Sequence, residues 1–175
     1  DYNKYIIDFV SVFNSDVLKR YFVVETSVFL RAYPTQQLLA TSLIYDCLRQ
    51  HKRDDLISQF ELEPFFVNVQ SLKRTFIDKL FALGDYYLNG KIIEHSRHIY
   101  DLYKLRNAVV MDENLRELFK EVRIERSLHP TCVSAAKGVS LREVLQKIID
   151  EKTYKRDYES ITEGLLFEKV SYDRA

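Results

Sequence analysis

Glycine, proline, cysteine and tryptophan are scarce in this 175-residue chain, which contains four, three, two and none of them. The shortage of glycine and proline excludes collagen-like and low-complexity chains. Two cysteines, Cys47 and Cys132, are too few for a disulfide scaffold and predict a reducing compartment, with the cytoplasm as the default location. No apolar run reaches the roughly 18 residues that indicate a transmembrane helix. Neither charge is in excess, because 26 basic residues balance 26 acidic ones, so net charge gives no argument for a nucleic-acid partner.

The residues that are present predict a soluble globular protein of one domain, or of one domain and part of another. The chain is 46% hydrophobic and 30% charged, and its length is typical of a domain with a core of its own. Its first residues, Asp1-Tyr2-Asn3-Lys4, include no Met and do not have the pattern of a signal peptide. We therefore expect the chain to begin inside a longer reading frame.

The first 70 residues contain some apolar runs that are typical of helices and others that are typical of strands. The patterns predict a short buried helix over 5–13, a strand over 20–30, a helix over 36–50 and a short strand or extended link over 65–69. Because so few strands are not stable by themselves in water, we expect further strands from sequence outside this chain or from a partner.

From Ser71 onward the patterns are helical. Ser71 predicts the start of a helix that stops at Asn89-Gly90. Further helices are predicted over 96–106, from Asp112, from the capping box at Ser140, and over 152–167, with a loop over 128–138. The predicted fold class is α+β and predominantly α-helical, with an incomplete strand-containing part over 1–70 and a helical domain over 71–175.

Motifs for common cofactors are missing from the sequence. No two glycines are close enough to form a phosphate-binding loop. Zinc is disfavoured because His95 and His98 have no cysteine nearby. These two histidines, three residues apart, either share a helix face and bind another metal or make ordinary contacts at the start of a helix, and the second alternative is favoured.

Three charged residues are candidates for chemistry, and each has a simpler alternative. Glu25 lies in the middle of an apolar strand, where it either meets a cation or faces solvent on the open side. Lys79 lies beside an apolar helix stripe, along which a lysine stem often packs while its ammonium reaches water. Asp101 follows Arg97 by four residues, the spacing of an ordinary helix ion pair.

A run of sequence around these residues resembles a known family. It consists of Arg74-Thr75-Phe76-Ile77-Asp78-Lys79-Leu80-Phe81-Ala82-Leu83, then Asp85-Tyr86-Tyr87-Leu88, then Ser96-Arg97-His98-Ile99-Tyr100-Asp101-Leu102-Tyr103-Lys104-Leu105. Together with Glu25-Thr26-Ser27, Tyr33-Pro34-Thr35 and Arg156-Asp157-Tyr158, it resembles the AbiEii/AbiGii nucleotidyltransferase toxins. That resemblance implies a polymerase β-like nucleotidyltransferase core, of whose sheet residues 1–70 would be a remnant, followed by a helical C-terminal bundle.

The resemblance also implies an activity, partners and site residues. Such toxins belong to bacterial toxin–antitoxin or phage-abortive systems, bind an NTP with Mg²⁺, and transfer a nucleotide to an acceptor such as tRNA. The implied catalytic residues are Lys79, expected at the triphosphate, Asp101, and Glu25 as a third carboxylate. The implied substrate-binding residues are Arg74, Arg97 and His98, and a cognate antitoxin is the implied protein partner.

Two motifs of that family have no counterpart in these 175 residues. They are a glycine-serine loop and an Asp-x-Asp pair, which hold the NTP and the metal ions. We therefore expect this chain to be the C-terminal portion of a transferase, to bind no metal by itself and to be inactive alone.

A different class of function stays open, that of a non-catalytic helical module that binds an antitoxin or RNA. Residues 71–106 contain seven basic and four acidic residues, a net charge of +3. Four tyrosines are interleaved with these charges, and they either stack on RNA bases or pack in the core, the second being favoured. They are Tyr86, Tyr87, Tyr100 and Tyr103.

Overall fold

The computed structural model describes residues 2–10, 12, 20–28, 33–166 and 168–175. It forms two compact units, 1–31 and 32–175. Helices predominate and two small antiparallel sheets accompany them, which confirms the predicted α+β, mainly helical class. The boundary at residue 70 between two domains stays a prediction. Within the described residues, no helix is long and apolar enough to cross a membrane.

The first unit contains an antiparallel hairpin of β1 (Tyr2–Asp8) and β2 (Tyr21–Ser27), in which Tyr2 lies opposite Ser27. The predicted strand is confirmed over 21–27, and its residues 29 and 30 lie outside the described part of the chain. The predicted helix over 5–13 is wrong, because residues 5–8 belong to β1. Its residues 11 and 13 lie outside the described part of the chain. Tyr5-Ile6-Ile7 is dense in aromatic and β-branched residues, which favour a strand when no helical period is present.

The second unit begins with a hairpin of β3 (Thr35–Ala40) and β4 (Phe65–Gln70), which encloses α1 (Leu43–Gln50) and α2 (Asp54–Gln59). The segment 65–69, predicted as a short strand or an extended link, is a strand. The helix predicted over 36–50 is wrong in its first half, which pairs with β4, and correct from Leu43 onward. Ser42 explains the start of α1, because its Oγ accepts a hydrogen bond from the Tyr45 amide at 3.0 Å.

Helix α3 (Leu72–Leu88) has the two ends that its sequence predicts. At its start, Ser71 Oγ accepts from the Arg74 amide at 3.3 Å. At its end, Gly90 adopts a φ of 67°, while its amide donates to the Tyr87 carbonyl and the Lys91 amide donates to the Tyr86 carbonyl. This pair of bonds is a Schellman motif, in which glycine fits because it has no Cβ.

The next three predicted helices are also confirmed, as α4 (Arg97–Arg106), α5 (Glu113–Ser127) and α6 (Leu141–Asp150). Asp112 accepts from the Leu115 amide at the start of α5, and Ser140 accepts from the Glu143 amide at the start of α6. The predicted loop over 128–138 contains one short 3₁₀ turn, Val133–Ala135.

The last segment is helical but is not the single α-helix predicted over 152–167. After a turn, α7 (Lys155–Asp157) continues as a π-helical turn, Tyr158–Thr162, and then as a 3₁₀ turn, Glu163–Leu165. The prediction is therefore wrong about the helix type, and residue 167 lies outside the described part. The change of pitch turns Asp157 and Thr162 toward the start of α4, where both form hydrogen bonds.

The core of the second unit lies between α3, α5 and α6. One cluster joins α3 to α5 and to the 3₁₀ turn, and a second joins α3 to α6 and to Tyr154. Both clusters depend on α3, which therefore forms the central element of this unit. The fully buried side chains include Ile77, Phe81, Val122, Tyr154, Tyr158 and Val170.

Gly84 lets the 3₁₀ turn and α6 approach α3 closely. A Cβ at this position would lie 2.8 Å from Leu141 Cδ1 and 2.9 Å from Ser134 Cβ. Gly84→Ala is therefore expected to reduce the free energy of unfolding by about 1–3 kcal/mol, because the added methyl overpacks the contact. Thermal denaturation measures the change, with Gly164→Ala as the control because its Cβ would meet no atom within 4 Å. Equal stability of the two variants would contradict the close approach.

Candidate active site

Lys79 and Asp101, 22 residues apart in the sequence, meet between α3 and α4. The Nζ atom of Lys79 lies 2.8 Å from Oδ2 of Asp101, and their side chains are 27% and 37% exposed. Both groups therefore remain accessible to solvent. Within the described residues, Asp101 pairs with Lys79 and not with Arg97, the alternative that a four-residue helix spacing suggests.

His98 completes a three-residue cluster with this ion pair. Its residue is 7% exposed, and its Nδ1 atom lies 3.0 Å from Lys79 Nζ and 3.6 Å from Asp101 Oδ2. An ammonium group has three donors and no acceptor. Because Lys79 Nζ is the closer partner, Nδ1 accepts its hydrogen bond, which requires a neutral imidazole with its proton on Nε2.

Contacts within the cluster shift the pKa values of Asp101 and His98. His98, followed by Lys79, holds the pKa of Asp101 at about 2, against the opposing effect of partial burial. Burial lowers the pKa of His98, the Asp101 carboxylate opposes that shift, and the charges of Lys79 and Arg97 add to it. At neutral pH Asp101 is therefore a carboxylate and His98 a neutral imidazole.

The pKa of His98 is expected to move in opposite directions when its two charged neighbours are removed. Lys79→Met should raise the pKa because a positive neighbour is lost, and Asp101→Asn should lower it because a negative neighbour is lost. NMR titration of the imidazole resonances measures both shifts. Shifts of the same sign would contradict the arrangement.

The same pKa shifts predict loss of stability in acid. As the pH falls below 6.5, the unfolded chain takes up a proton at His98 before the folded chain does. The free energy of unfolding therefore decreases as the pH is lowered. The contribution of Asp101 to the free energy of unfolding is complete above pH 3.8 and is lost as the pH falls toward about 2.

Arg74 and Arg97, the predicted substrate-binding arginines, lie in different surroundings. Arg74 is 2% exposed, and its guanidinium donates to Asp78 at 3.0 Å, to the Tyr33 carbonyl at 2.8 Å and to Glu125 at 2.8 Å. Arg97 is exposed at the first residue of α4. Both substrate-binding roles stay predictions, and in this structure the Arg74 donors are directed at the protein.

Glu25, the third predicted catalytic residue, lies on β2 in the first unit. It is directly opposite Lys4 on β1, with Lys4 Nζ 3.6 Å from Glu25 Oε1, and its side chain is 53% exposed. Glu25 therefore both meets a cation and faces solvent, so the two alternatives hold together. Its catalytic role stays a prediction.

Sequence reasoning missed a buried network of charges behind the cluster. Arg126 of α5 donates to Asp78 at 3.1 Å and to Asp85 at 2.9 Å. Asp85 also accepts from the Ser134 amide at 2.8 Å and from the Ser134 hydroxyl at 2.6 Å. The available signal was the spacing of Arg74, Asp78 and Asp85 by four and seven residues, which places three charges on one face of α3.

The aromatic rings beside the cluster are arranged as a stack. Tyr86 and His95 have parallel rings with centroids 3.5 Å apart, and His98 lies 5.7 Å from Tyr86 at nearly the same orientation. All four tyrosines of the basic segment are half-buried. Packing therefore accounts for much of their surface, as the favoured alternative predicts.

The residues of the cluster do not by themselves fit a magnesium ion. Mg²⁺ needs several oxygen ligands in a near-octahedral arrangement, and the cluster offers only the Asp101 carboxylate, which is already paired with Lys79. No group of three or more histidine, cysteine, aspartate or glutamate residues suited to a metal is present in the described chain. His95 and His98 have ring centroids 6.3 Å apart.

A separate apolar cavity of about 400 Å³ lies between α3, α4 and α6. Its walls include Leu83, Leu102 and Ile148, and Lys152 and Asp173 stand at its edge. None of the three cluster residues lines it, so it is not the place where Lys79 and Asp101 act together.

Comparison with known proteins identifies the family to which these residues belong. A family model described as nucleotidyl transferase AbiEii toxin, type IV toxin–antitoxin system, matches residues 1–175. No curated protein and no solved structure matches the chain significantly. Because the family match covers the whole chain, including α3 and α4 with their paired Lys79 and Asp101, the resemblance seen in the sequence is confirmed. The chain belongs to the AbiEii family of nucleotidyl transferase toxins of type IV toxin–antitoxin systems.

Proposed function

We propose that this chain supplies Lys79, His98 and Asp101 to the nucleotide site of a nucleotidyltransferase. One observation carries the proposal. The Lys79 ammonium contacts two acceptors in the protein, the Asp101 carboxylate and the His98 ring. An ammonium has three donors. One N–H is therefore left for a phosphate oxygen, and the group is held in place before the nucleotide arrives.

The proposed reaction transfers a nucleotide from an NTP to an acceptor hydroxyl. The hydroxyl oxygen forms a bond to the α-phosphorus, the bond from that phosphorus to the pyrophosphate oxygen breaks, and the hydroxyl proton leaves to a base or to water. Lys79 binds a phosphate oxygen and stabilises the negative charge that develops there.

Asp101 serves this step by orienting Lys79. A general base works best when its pKa is near the working pH, whereas the pKa of Asp101 is about 2. Its carboxylate is therefore a poor proton acceptor at neutral pH and a good permanent partner for an ammonium. His98 accepts a second hydrogen bond from the same ammonium and limits its rotation.

The other predicted site residues have proposed roles further from the reacting atoms. Arg97, exposed at the start of α4, is proposed to contact the phosphates or the acceptor. Arg74 is proposed to assist substrate binding from within its buried network, and Glu25 to act as a third carboxylate. The glycine-serine loop and the Asp-x-Asp pair that would hold Mg²⁺ are proposed to come from outside these 175 residues, so that the chain is inactive alone.

The proposed partners follow from membership of the family. They are an NTP as donor, tRNA as acceptor and a cognate antitoxin that restrains the toxin. The proposed biological setting is abortive infection as a defence against phage.

A non-catalytic module that binds a protein partner is the second candidate function. The β1–β2 hairpin favours it, because large apolar side chains are exposed along both strands and such surfaces mark interaction sites. RNA stacking by the four tyrosines is not favoured, because they are half-buried.

Transfer of radioactive label tests the proposed function. A longer protein, in which this chain follows a family segment with the glycine-serine and Asp-x-Asp motifs, is incubated with Mg²⁺, tRNA and each α-³²P-labelled NTP. Label is expected in the tRNA with at least one NTP, and residues 1–175 alone are expected to transfer none. Absence of transfer by the longer protein would contradict the catalytic proposal, and steady transfer by residues 1–175 alone would contradict their inactivity.

A further inference from the structure

The start of α4 has no capping side chain of its own. Ser96, the residue before the helix, has helical backbone angles and makes no side-chain bond to the first turn. The first amides of a helix need acceptors from elsewhere. In this protein the acceptor for the turn leading into α4 comes from a segment 61 residues further along the chain.

That acceptor is the carboxylate of Asp157, which is 8% exposed. Its Oδ1 atom accepts from the Glu94 amide at 2.8 Å, and its Oδ2 atom accepts from the Ser96 amide at 3.1 Å. Both oxygens are therefore bound to backbone immediately before α4. Burial opposes ionisation, but the bonds from Ser96 and Glu94 outweigh it and lower the pKa of Asp157.

The same turn contains a backbone conformation that needs support. Glu94 has a φ of 67°, in the left-handed region that side chains other than glycine rarely adopt. The bond from its amide to Asp157 holds it there. A second bond, 2.7 Å between the buried hydroxyls of Ser96 and Thr162, fixes the next residues.

The π-helical turn explains how two residues of one segment reach the same place. Asp157 and Thr162 are five residues apart, and a π-helix closes its hydrogen bonds over that spacing. A regular α-helix would direct these two side chains toward different sides. The local departure from α-helix thus directs both of them at the start of α4.

We propose that Asp157 is a positioning residue for the Lys79–His98–Asp101 cluster, because its carboxylate fixes the turn from which α4 carries His98 and Asp101 to Lys79. His98 lies two residues after Ser96, and Asp101 lies five residues after it. A shift of the turn therefore moves both cluster residues relative to α3. The link to catalysis rests on the proposed function, whereas the link to the geometry of the cluster does not.

Three variants of residues 1–175 test the geometry by NMR. Asp157→Ala removes both acceptors, Asp157→Asn keeps one oxygen, and Asp173→Asn is the control, because it removes an exposed carboxylate bound to Lys152 and Lys155. We expect the pKa of Asp101 to rise from about 2 toward 3.8 in Asp157→Ala, to rise less in Asp157→Asn and to stay unchanged in Asp173→Asn. Added formate, a carboxylate small enough for the vacated space, should return the alanine variant toward the original value.

An unchanged Asp101 pKa in folded Asp157→Ala would overturn the proposal. If the alanine variant does not fold, the pKa of Asp101 is measured in Asp157→Asn instead. An unchanged pKa in that variant would overturn the proposal as well. In the longer protein, Asp157→Ala should reduce kcat by up to about 100-fold with a smaller change in KM, because displaced catalytic groups lose rate. If the unmodified longer protein transfers no label, the proposed function fails while the NMR result still decides the role of Asp157.

Discussion

Replacing Lys79 by methionine or Asp101 by asparagine is expected to reduce nucleotide transfer by about 100-fold or more. Methionine keeps an unbranched apolar side chain and removes the ammonium, and loss of one preorganised donor at a developing charge has an effect of this size. Asparagine keeps the shape of Asp101 and removes the charge that orients Lys79. The measurement is the rate of label transfer by the longer protein, together with growth of cells that express it.

Exchange of the two groups separates catalysis from structure. The double variant Lys79→Asp with Asp101→Lys keeps an ammonium and a carboxylate within reach of each other but places each on the opposite helix. If the pair served only to join α3 to α4, the exchange would preserve function. We expect the double variant to fold and to stay inactive, and growth inhibition equal to that of the original protein would remove both residues from the catalytic site.

The second large effect concerns stability. Asp85→Ala is expected to reduce the free energy of unfolding by about 3–5 kcal/mol, because it removes the closer of the two carboxylates that pair with the buried Arg126 guanidinium. It also leaves the buried Ser134 amide without its acceptor. Arg126→Met is expected to destabilise by a similar amount, since the Asp78 and Asp85 carboxylates each lose one cationic partner. Denaturant unfolding measures both changes.

Two comparisons test whether the loss of stability depends on the burial of the Asp85–Arg126 pair. Glu117→Gln removes an exposed ion pair with Lys120 and is expected to change stability little. The double variant Asp85→Ala with Arg126→Met removes both charges, so it should lose less stability than the two single losses added together. Additive losses, or a single loss no larger than that of Glu117→Gln, would contradict the buried network.

The helical part of the fold was predictable because its signals are local. Ser71, Asp112 and Ser140 accept bonds from amides within three residues, and Gly90 ends α3 through a backbone conformation that glycine favours. Each of these interactions is contained in a few neighbouring residues. A single sequence therefore carries the information that places the helix ends.

The strand part was less predictable because its signals are distant. Residues 36–40 have apolar spacing compatible with a helix, and the pairing with residues 65–69 makes them a strand. Tyr5-Ile6-Ile7 is apolar without a clear period, and its pairing with β2 determines its structure. Where pairing with a distant strand determines the secondary structure, the local spacing of apolar residues predicts it wrongly.

In the candidate site, too, contacts between neighbouring elements were predictable and contacts with distant segments were not. The encounter of Lys79 with Asp101 was predictable, because two helices with a short connection pack side by side. The bonds of Asp157 to the turn before α4 were not predictable, because they depend on a π-helical turn and on contacts with a segment 61 residues away. Arg126 and Ser134 were missed for a similar reason, since their partners lie on α3.

Titration with an NTP of the longer protein, in which residues 1–175 follow the glycine-serine and Asp-x-Asp motifs, combined with NMR at the Lys79 ammonium and the His98 ring, shows whether Lys79 binds the phosphates. We expect a saturable shift of both resonances in the original chain and in Asp173→Asn, and no shift of the His98 resonance in Lys79→Met. No shift in the original chain at millimolar NTP, or the same His98 shift in Lys79→Met, would contradict the claim that Lys79 binds the phosphates.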